Sequence, residues 1–316
     1  MTLDNIVEEI KNAKDIVILT HEFPDGDAMG SSLAMYNSLK QIGKKVDAII
    51  PEFSSIYNFL PGANEIKSEG KIENYDLAIA LDCADMKRLN GMSKYFETAN
   101  VKVSIDHHGL NTMFGDYNFV NPVAPACTQI LVTVLEYMGI EITKEIGTCL
   151  LTGIITDTGG FKYQGVTSET FEFAAWLLNK GVNVSSVYRN VLQVISKESF
   201  ELRKLATNRV EFLEDGKIAF TYITKKDEQE IGTETGAHEG IVEIGRDVEG
   251  VEVSIFLREL ENGYKASLRS TEYVNVADIC LMFGGGGHIR AAGCNMSGTI
   301  EEIKTKLINE CKKYIR

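Results

Sequence analysis

The first half of the chain alternates short, apolar, β-branched runs with longer segments of helical periodicity, and this pattern constrains the fold most strongly. Such runs are typical of strands buried on both faces of a parallel sheet. The predicted strands are 16–21, 45–51, 77–82 and 101–108, and the predicted helices are 27–43, 124–139, 142–153 and 168–180. The alternation predicts an α/β fold with an open, mainly parallel sheet flanked by helices.

The pattern changes near residue 207. The strands predicted beyond it belong to a mixed sheet with one mostly exposed face, and two amphipathic helices follow; these strands are 217–224, 250–259 and 264–270. They indicate a smaller α+β domain. The expected organisation is an N-terminal domain over 1–185, a helical linker or hinge over 186–206, a C-terminal domain over 207–316, and a cleft between the two domains.

The chain has a net charge of −13 and 44% hydrophobic residues, which is typical of an acidic globular protein. Long nucleic acid is usually held by a broad basic surface, so this charge argues against a long duplex partner and favours small phosphorylated substrates. No apolar run reaches the ~18–20 residues of a membrane span, and the N-terminus lacks a signal-peptide pattern. Because the six cysteines include no CxxC pair, we expect free thiols, a cytoplasmic location and no membrane partner.

Side chains that can bind metal ions collect where predicted strands and helices begin or end. Ligands of open parallel sheets bind beyond the carboxyl ends of the strands. The candidates are His21, Asp25, Asp27, Asp82, Asp106, His107, His108 and Asp157. Taken singly, these pieces have structural alternatives: Asp25 and Asp27 suit a turn or N-cap, Asp82 suits a strand end bonded to loop amides, a lone pair such as His107–His108 is more often structural than catalytic, and Asp157 suits a helix end. Their joint occurrence at four such ends favours a metal site.

The types of donor indicate the metal. Carboxylates mixed with imidazoles suit Mn²⁺ or a similar first-row ion better than Ca²⁺. Six or so ligands exceed one tetrahedral zinc site, and they suit two ions ~3.5–4 Å apart that share a bridging carboxylate. The sequence therefore predicts two divalent metal ions, with Mn²⁺ favoured and Mg²⁺ or Co²⁺ left open.

Four motifs, HEFPDGDAMGS, LDCAD, DHH and GIITDTG, match in order those of the DHH phosphoesterases, and the chain resembles this family over nearly its whole length. The C-terminal LRS and FGGGGHIRAAG resemble the DHH-associated domain found in one branch of the family. Length and domain content are closest to the branch of nano-RNases and 3′-phosphoadenosine-5′-phosphate (pAp) phosphatases.

The resemblance implies a role for each candidate. One ion would be held by His21, Asp25 and Asp82, and the other by Asp27, Asp82, His107 and Asp157, with Asp82 bridging. Asp106 would orient the neighbouring histidine. His108 would face the scissile phosphate as a charge stabiliser or proton donor. Asp82, Asp106 and His108 are thus the expected catalytic residues.

The C-terminal domain carries a second candidate site. The four glycines 284–287 expose backbone amides to an anion, although alone they also suit a flexible turn before a strand. Arg269 suits bidentate phosphate contact, although alone it also suits a solvated strand position. In the order of the family's motifs, they indicate a substrate clamp formed by Arg269, Ser270, Gly285, Gly286, Gly287 and His288.

The resemblance implies a two-metal phosphoesterase whose active site lies in the cleft. We expect hydrolysis of short oligoribonucleotides and linear dinucleotides such as pGpG to nucleoside 5′-monophosphates, and of pAp to AMP, by metal-activated water. The alternatives are a pyrophosphate or polyphosphate hydrolase and a non-catalytic RNA-binding or sensing protein. A homodimer formed through the apolar helices after the metal motifs is left open.

Overall fold

Five strands form the sheet of the N-terminal part of the chain, in a computed structural model that describes residues 3–70, 74–163, 165–233 and 237–316. The strands are β1 (Asp15–Leu19), β2 (Lys45–Ala48), β3 (Leu77–Leu81), β4 (Val101–Asp106) and β5 (Tyr117–Val120). Their order is β2-β1-β3-β4-β5, and all neighbours are parallel. The predicted open parallel sheet is therefore confirmed, and its carboxyl ends meet at one edge.

Helices cover both faces of this sheet. They are α1 (Leu3–Asn12), α2 (Gly26–Gln41), α3 (Ser93–Thr98), α4 (Cys127–Tyr137), α5 (Lys144–Asp157), α6 (Ser168–Asn179) and α7 (Val184–Tyr188). Successive strand residues enter opposite cores: Ile16 and Ile18 pack in the cluster that contains α1, α2, α4 and α5, whereas Val17 and Leu19 pack in the one that contains α3. Burial on both faces explains why the strands are continuous apolar runs.

Helices α2 and α5 approach each other through glycines. A Cβ atom on Gly30 would lie 2.5 Å from the carbonyl oxygen of Cys149, and one on Gly153 would lie 2.3 Å from Oδ1 of Asp27. Side chains at these positions would push the helices apart. The close approach brings the beginning of α2, with Asp27, next to the end of α5, with Asp157.

The chain divides into two compact units, Met1–Val194 and Ile195–Arg316. Around the division, α7 is followed by a π-helical turn (Arg189–Gln193), a break, and helix α8 (Lys197–Asn208). The region is thus helical but interrupted at 194–196. The domain limits 1–185, 186–206 and 207–316, and the hinge within them, stay a prediction.

The second unit contains a mixed sheet, as predicted. Its strands are β6 (Glu211–Leu213), β7 (Ile218–Ile223), β8 (Val253–Leu260), β9 (Gly263–Ser270), β10 (Gly286–His288) and β11 (Ala291–Met296). The order is β10-β11-β9-β8-β7-β6, in which β7 and β8 are parallel and the other neighbours antiparallel. The remaining helices are α9 (Lys225–Ile231), α10 (Ile241–Arg246), α11 (Val276–Leu281) and α12 (Ile300–Cys311).

The prediction of a mostly exposed face was wrong for β7 and β8, whose residues are mostly buried. Phe256 of β8 packs with Leu202 of α8 and Ile241 of α10 on one face. Ile255 of the same strand packs with Leu307 of α12 on the other. Helices therefore cover both faces of β7 and β8. In β9 and β11 buried residues largely alternate with partly or fully exposed ones, so one face of that part of the sheet stays accessible.

The six cysteines are free, and all are buried. Burial raises the pKa of the Cys83 and Cys311 thiols to about 12. Within the described residues, we find no helix that is both long enough and apolar enough to cross a bilayer.

Candidate metal centre

The predicted ligands converge at the carboxyl edge of the parallel sheet. His21 follows β1, Asp82 follows β3 directly, and His107 and His108 follow β4. The donor atoms form three groups, each spanning no more than 4.8 Å: His21–Asp25–Asp82, Asp27–His107–Asp157 and Asp82–His107–His108. Asp82 belongs to the group containing His21 and to one containing His107, which is the position that a bridging carboxylate requires.

Asp82 is the most informative residue for a metal. Its backbone is left-handed (φ 52°), which ends β3 at this point. The side chain is 1% exposed, and within the described part of the chain its Oδ1 has no hydrogen-bond partner. Burial, with the nearby charges of Asp27 and Asp25, raises the pKa of Asp82 well above its usual value. A buried carboxylate that lacks a hydrogen bond on one oxygen and lies among other carboxylates is unfavourable unless a cation neutralises it, so these residues fit divalent ions.

Asp27 is held in place by the beginning of α4. Its Oδ1 accepts hydrogen bonds from the Thr128 amide (3.0 Å) and hydroxyl (2.8 Å), and its Oδ2 accepts one from the Cys127 amide. Burial raises the pKa of Asp27, although the neighbouring His107 opposes this change. Thr128 could not be recognised from the sequence, because it lies 101 positions from Asp27 and no local motif links the two residues.

His107 is oriented by a backbone carbonyl. Its Nδ1 lies 3.2 Å from the Ala124 oxygen, which leaves Nε2 directed at Asp157 Oδ2 (3.2 Å) and Asp82 Oδ1 (3.5 Å). A ligating histidine commonly donates its other N–H to such a group. Burial lowers the pKa of His107, but the carboxylates of Asp157 and Asp27 outweigh it and raise the pKa to about 9. Burial raises the pKa of Asp157 to about 7.

Asp106 contacts both histidines, but in different ways. Its Oδ1 accepts from the His107 amide (2.8 Å) and lies 2.7 Å from Nδ1 of His108. Its Oδ2 accepts from the Asn111 side chain at 2.7 Å. Burial raises the pKa of Asp106, but the hydrogen bonds from His108 and Asn111 outweigh this effect, and its pKa falls below the usual value. Asp106 therefore orients the ring of His108, while the ring of His107 depends on Ala124. Asn111 was missed because an asparagine in a loop has no distinctive spacing.

His21 and Asp25 complete the group on the other side of Asp82. The Nδ1 of His21 lies 2.8 Å from the carbonyl oxygen of Glu22, and its Nε2 lies 3.9 Å from Asp82 Oδ2. Burial lowers the pKa of His21, which favours the neutral form that a metal needs. Asp25 is the N-cap of α2: its Oδ1 accepts from the amides of Asp27 and Ala28, and its second oxygen can still bind a metal.

In the second unit, some of the predicted clamp residues are already hydrogen-bonded or packed within the unit, and others are free to contact a substrate. Arg269 Nε donates to Glu243 Oε1 at 3.0 Å, and the buried hydroxyl of Ser270 donates to the Val274 carbonyl at 2.6 Å. A Cβ on Gly285 would lie 2.2 Å from the carbonyl oxygen of Gly293 in β11, so this glycine is required for strand packing. The exposed residues of the set are Gly287 and His288.

The fold and the centre define a class of metal-dependent phosphoesterases, and the chain belongs to the DHH family. Residues 15–154 match the DHH family, N-terminal domain, and residues 215–316 match the DHHA1 domain.

One relative is the bifunctional oligoribonuclease and PAP phosphatase NrnA of Thermus thermophilus, 36% identical over 93% of this chain and 88% of that protein. The protein of the same name from Mycoplasma genitalium is 25% identical over 99% of this chain and 98% of its own length. A crystal structure of an exopolyphosphatase-related protein from Bacteroides fragilis superimposes with a TM-score of 0.91 at 30% identity, covering 99% of this chain and 96% of that one.

Proposed function

We propose that the chain hydrolyses short oligoribonucleotides and linear dinucleotides to nucleoside 5′-monophosphates, and pAp to AMP. The observation that supports this most is the buried Asp82, which lacks a hydrogen bond on Oδ1 and belongs both to the donor group of His21 and to one of the groups of His107. The names of the relatives from Thermus thermophilus and Mycoplasma genitalium support the choice of substrate. One chemistry serves both substrates, since water attacks phosphorus and only the leaving group differs.

The side chains of the centre have two roles, metal binding and contact with the substrate. Two cations would be held by His21, Asp25, Asp27, Asp82, His107 and Asp157. When bound, these ions would lower the pKa of a water molecule and neutralise charge on the phosphate. Asp106 fixes the ring of His108 through Nδ1. The Nε2 of His108 is then available to donate a hydrogen bond to the phosphate or a proton to the leaving oxygen.

We propose Mn²⁺ as the favoured ion because the donors mix imidazoles with carboxylates. The exposed His288 and the backbone of Gly286 and Gly287 would contact a terminal nucleotide. Six buried free thiols suit a reducing cytoplasm, which is the location we propose. If the protein forms a homodimer, we propose that the apolar helices α4 and α5 contribute to the contact.

The test is a panel of substrates with Mn²⁺ and with chelator: pAp, pGpG, pApA, an RNA 5-mer, an RNA 24-mer and pyrophosphate. We expect metal-dependent release of mononucleotides from the short substrates and little from the 24-mer. Release from pyrophosphate alone would favour the pyrophosphate or polyphosphate hydrolase. Tight RNA binding with no turnover of any substrate would favour the non-catalytic sensor.

A further inference from the structure

A cavity of about 220 Å³ adjoins the candidate metal centre within the first unit, and His21 forms one of its walls. Its apolar lining includes the side chains of Ile50, Leu89 and Met92, which are 2%, 0% and 4% exposed. These three residues are not among the candidate metal ligands. The volume is below the ~300–1,000 Å³ of pockets for drug-sized ligands, so it suits one flat ring system and not a whole dinucleotide.

A phenylalanine stands at the rim of this cavity. Phe23 is 64% exposed, and its backbone has φ 58°. A bulky residue in the left-handed region is uncommon, and such conformations persist where the surrounding structure enforces them, often at ligand sites. An aromatic side chain exposed beside a cavity is a surface on which a nucleobase can stack.

A carboxylate is fixed at the same rim. The amide of Glu22 donates to the Arg88 carbonyl at 2.8 Å, and its Oε1 accepts from the side-chain amide of Asn90. Asn90 also lines the cavity and has a left-handed φ of 47°. These bonds join the loop after β1 to the segment before α3. Glu22 can thus accept hydrogen bonds from a ligand without first being ordered.

We propose that this cavity binds one nucleobase of the substrate and favours guanine. Phe23 provides the stacking surface, and Glu22 accepts from the N1–H and exocyclic amino group of guanine. Adenine presents an unprotonated ring nitrogen at the position of that N1–H, so a carboxylate there faces a second acceptor and loses a hydrogen bond. The inference rests on the proposed function, because it assigns a base pocket to the same centre.

The first experiment measures kcat/KM on pGpG and pApA with Mn²⁺. We expect wild type to prefer pGpG and Phe23→Ala to lose ~5- to 100-fold on both, the range expected for one lost stacking contact. Phe23→Trp should retain the activity, and Glu22→Gln should reduce the preference for pGpG by ~5- to 100-fold. Tyr137→Ala removes an aromatic ring of similar exposure (58%) at the end of α4 and serves as the matched control. Thermal unfolding of each variant checks that it is folded.

The second experiment separates the pocket from catalysis. Calorimetry of GMP, AMP and ribose 5-phosphate with the Mn²⁺-loaded protein reports base binding even if nothing is hydrolysed. GMP should bind more tightly than AMP, and AMP more tightly than the sugar phosphate. Phe23→Ala should weaken the binding of both nucleotides and bring AMP close to the sugar phosphate, while GMP keeps its advantage over AMP through Glu22. The proposal of a base pocket would be rejected if wild type hydrolysed pGpG and pApA equally well and Phe23→Ala had no effect. The proposed function would then still stand. Base-dependent binding without turnover would support the pocket and reject the proposed function.

Discussion

At the scale of single residues, the candidate centre is an arrangement of buried charge. Asp27 is fully buried, and burial raises its pKa above the usual value. Asp82 is also buried with a raised pKa, and within the described residues its Oδ1 accepts no hydrogen bond. Placing such groups together costs stability in the metal-free protein. The binding of cations offsets this cost, so metal affinity and folding stability are coupled here.

The first prediction concerns Asp82→Asn. We expect this variant to lose activity by more than ~10³-fold, because the shared ligand is absent, and to raise the melting temperature of the metal-free protein, because a repelled charge is removed. Activity assays and thermal unfolding with chelator measure the two effects. Asp116→Asn, at an exposed position, is the control. Loss of activity together with loss of metal-free stability would contradict this account.

At the scale of elements, the centre depends on where helices begin and end. Asp27 lies in the first turn of α2 and Asp157 is the last residue of α5. The glycine contacts between these helices determine how close the two carboxylates come. In the second unit, α9 begins with a capping box at Thr224, in which Asp227 accepts from the Thr224 amide and also pairs with Arg209.

The glycine contact predicts a large effect for Gly153→Ala. The added methyl group would meet Asp27 Oδ1 at 2.3 Å and Thr128 at 2.5 Å, so we expect about 1–3 kcal/mol of destabilisation and weaker Mn²⁺ binding. Gly147→Ala, in the same helix, meets a Val182 methyl and is the matched control. Urea unfolding and metal titration measure both. If the two variants behave alike, the glycine does not set the position of Asp27.

The capping box predicts a pH dependence of stability. Partial burial raises the pKa of Asp227, but Arg209 and Thr224 outweigh it and lower the pKa from 3.8 to about 2. The carboxylate therefore contributes stability above pH ~4, roughly 1–2 kcal/mol after solvent screening, and loses it as the pH falls towards 2. The difference in urea midpoint between wild type and Asp227→Asn should shrink between pH 5 and 3. Glu261→Gln, 88% exposed at its side chain, should give no such trend.

The sequence could predict those elements whose side chains carry a pattern. Strands buried on both faces appear as apolar runs, which is why β1, β3 and β4 were predicted. Strand β5 is half-buried throughout, and β10 consists of two glycines and His288, so neither has a pattern to detect. The candidate ligands could be proposed from the sequence because each lies near the end of an element. Thr128 and Asn111 could not, because their role exists only after distant segments meet.

At the scale of the whole molecule, the negative net charge of the chain repels anionic substrates, whereas the metal centre attracts their phosphates. The chain carries 45 acidic and 32 basic residues, while its proposed substrates are anions. Long-range repulsion disfavours polyanions, whereas the bound cations attract a phosphate locally. This combination favours substrates with few phosphates.

It follows that salt should have little effect on turnover of short RNA. Single strands lose affinity with a log–log slope of about −0.7 per phosphate contacted, so a di- or trinucleotide should give a slope no steeper than about −2. The measurement is kcat/KM for pGpG and an RNA 5-mer over a KCl series, with a nonionic osmolyte as control. A slope of about −3 or steeper for the 5-mer would mean that nearly all of its phosphates are contacted and would indicate an extended basic groove.

The parallel sheet also affects how the protein acquires its metal during synthesis. The donors extend from His21, after the first strand, to Asp157, at the end of α5. Each strand must be joined to the next by a crossover before the edge of the sheet exists. A nascent chain on the ribosome therefore lacks the Asp27–His107–Asp157 group until α5 has emerged and packed against α2. A chain interrupted before residue 157 would keep the donors His21, Asp25 and Asp82 but not the complete centre.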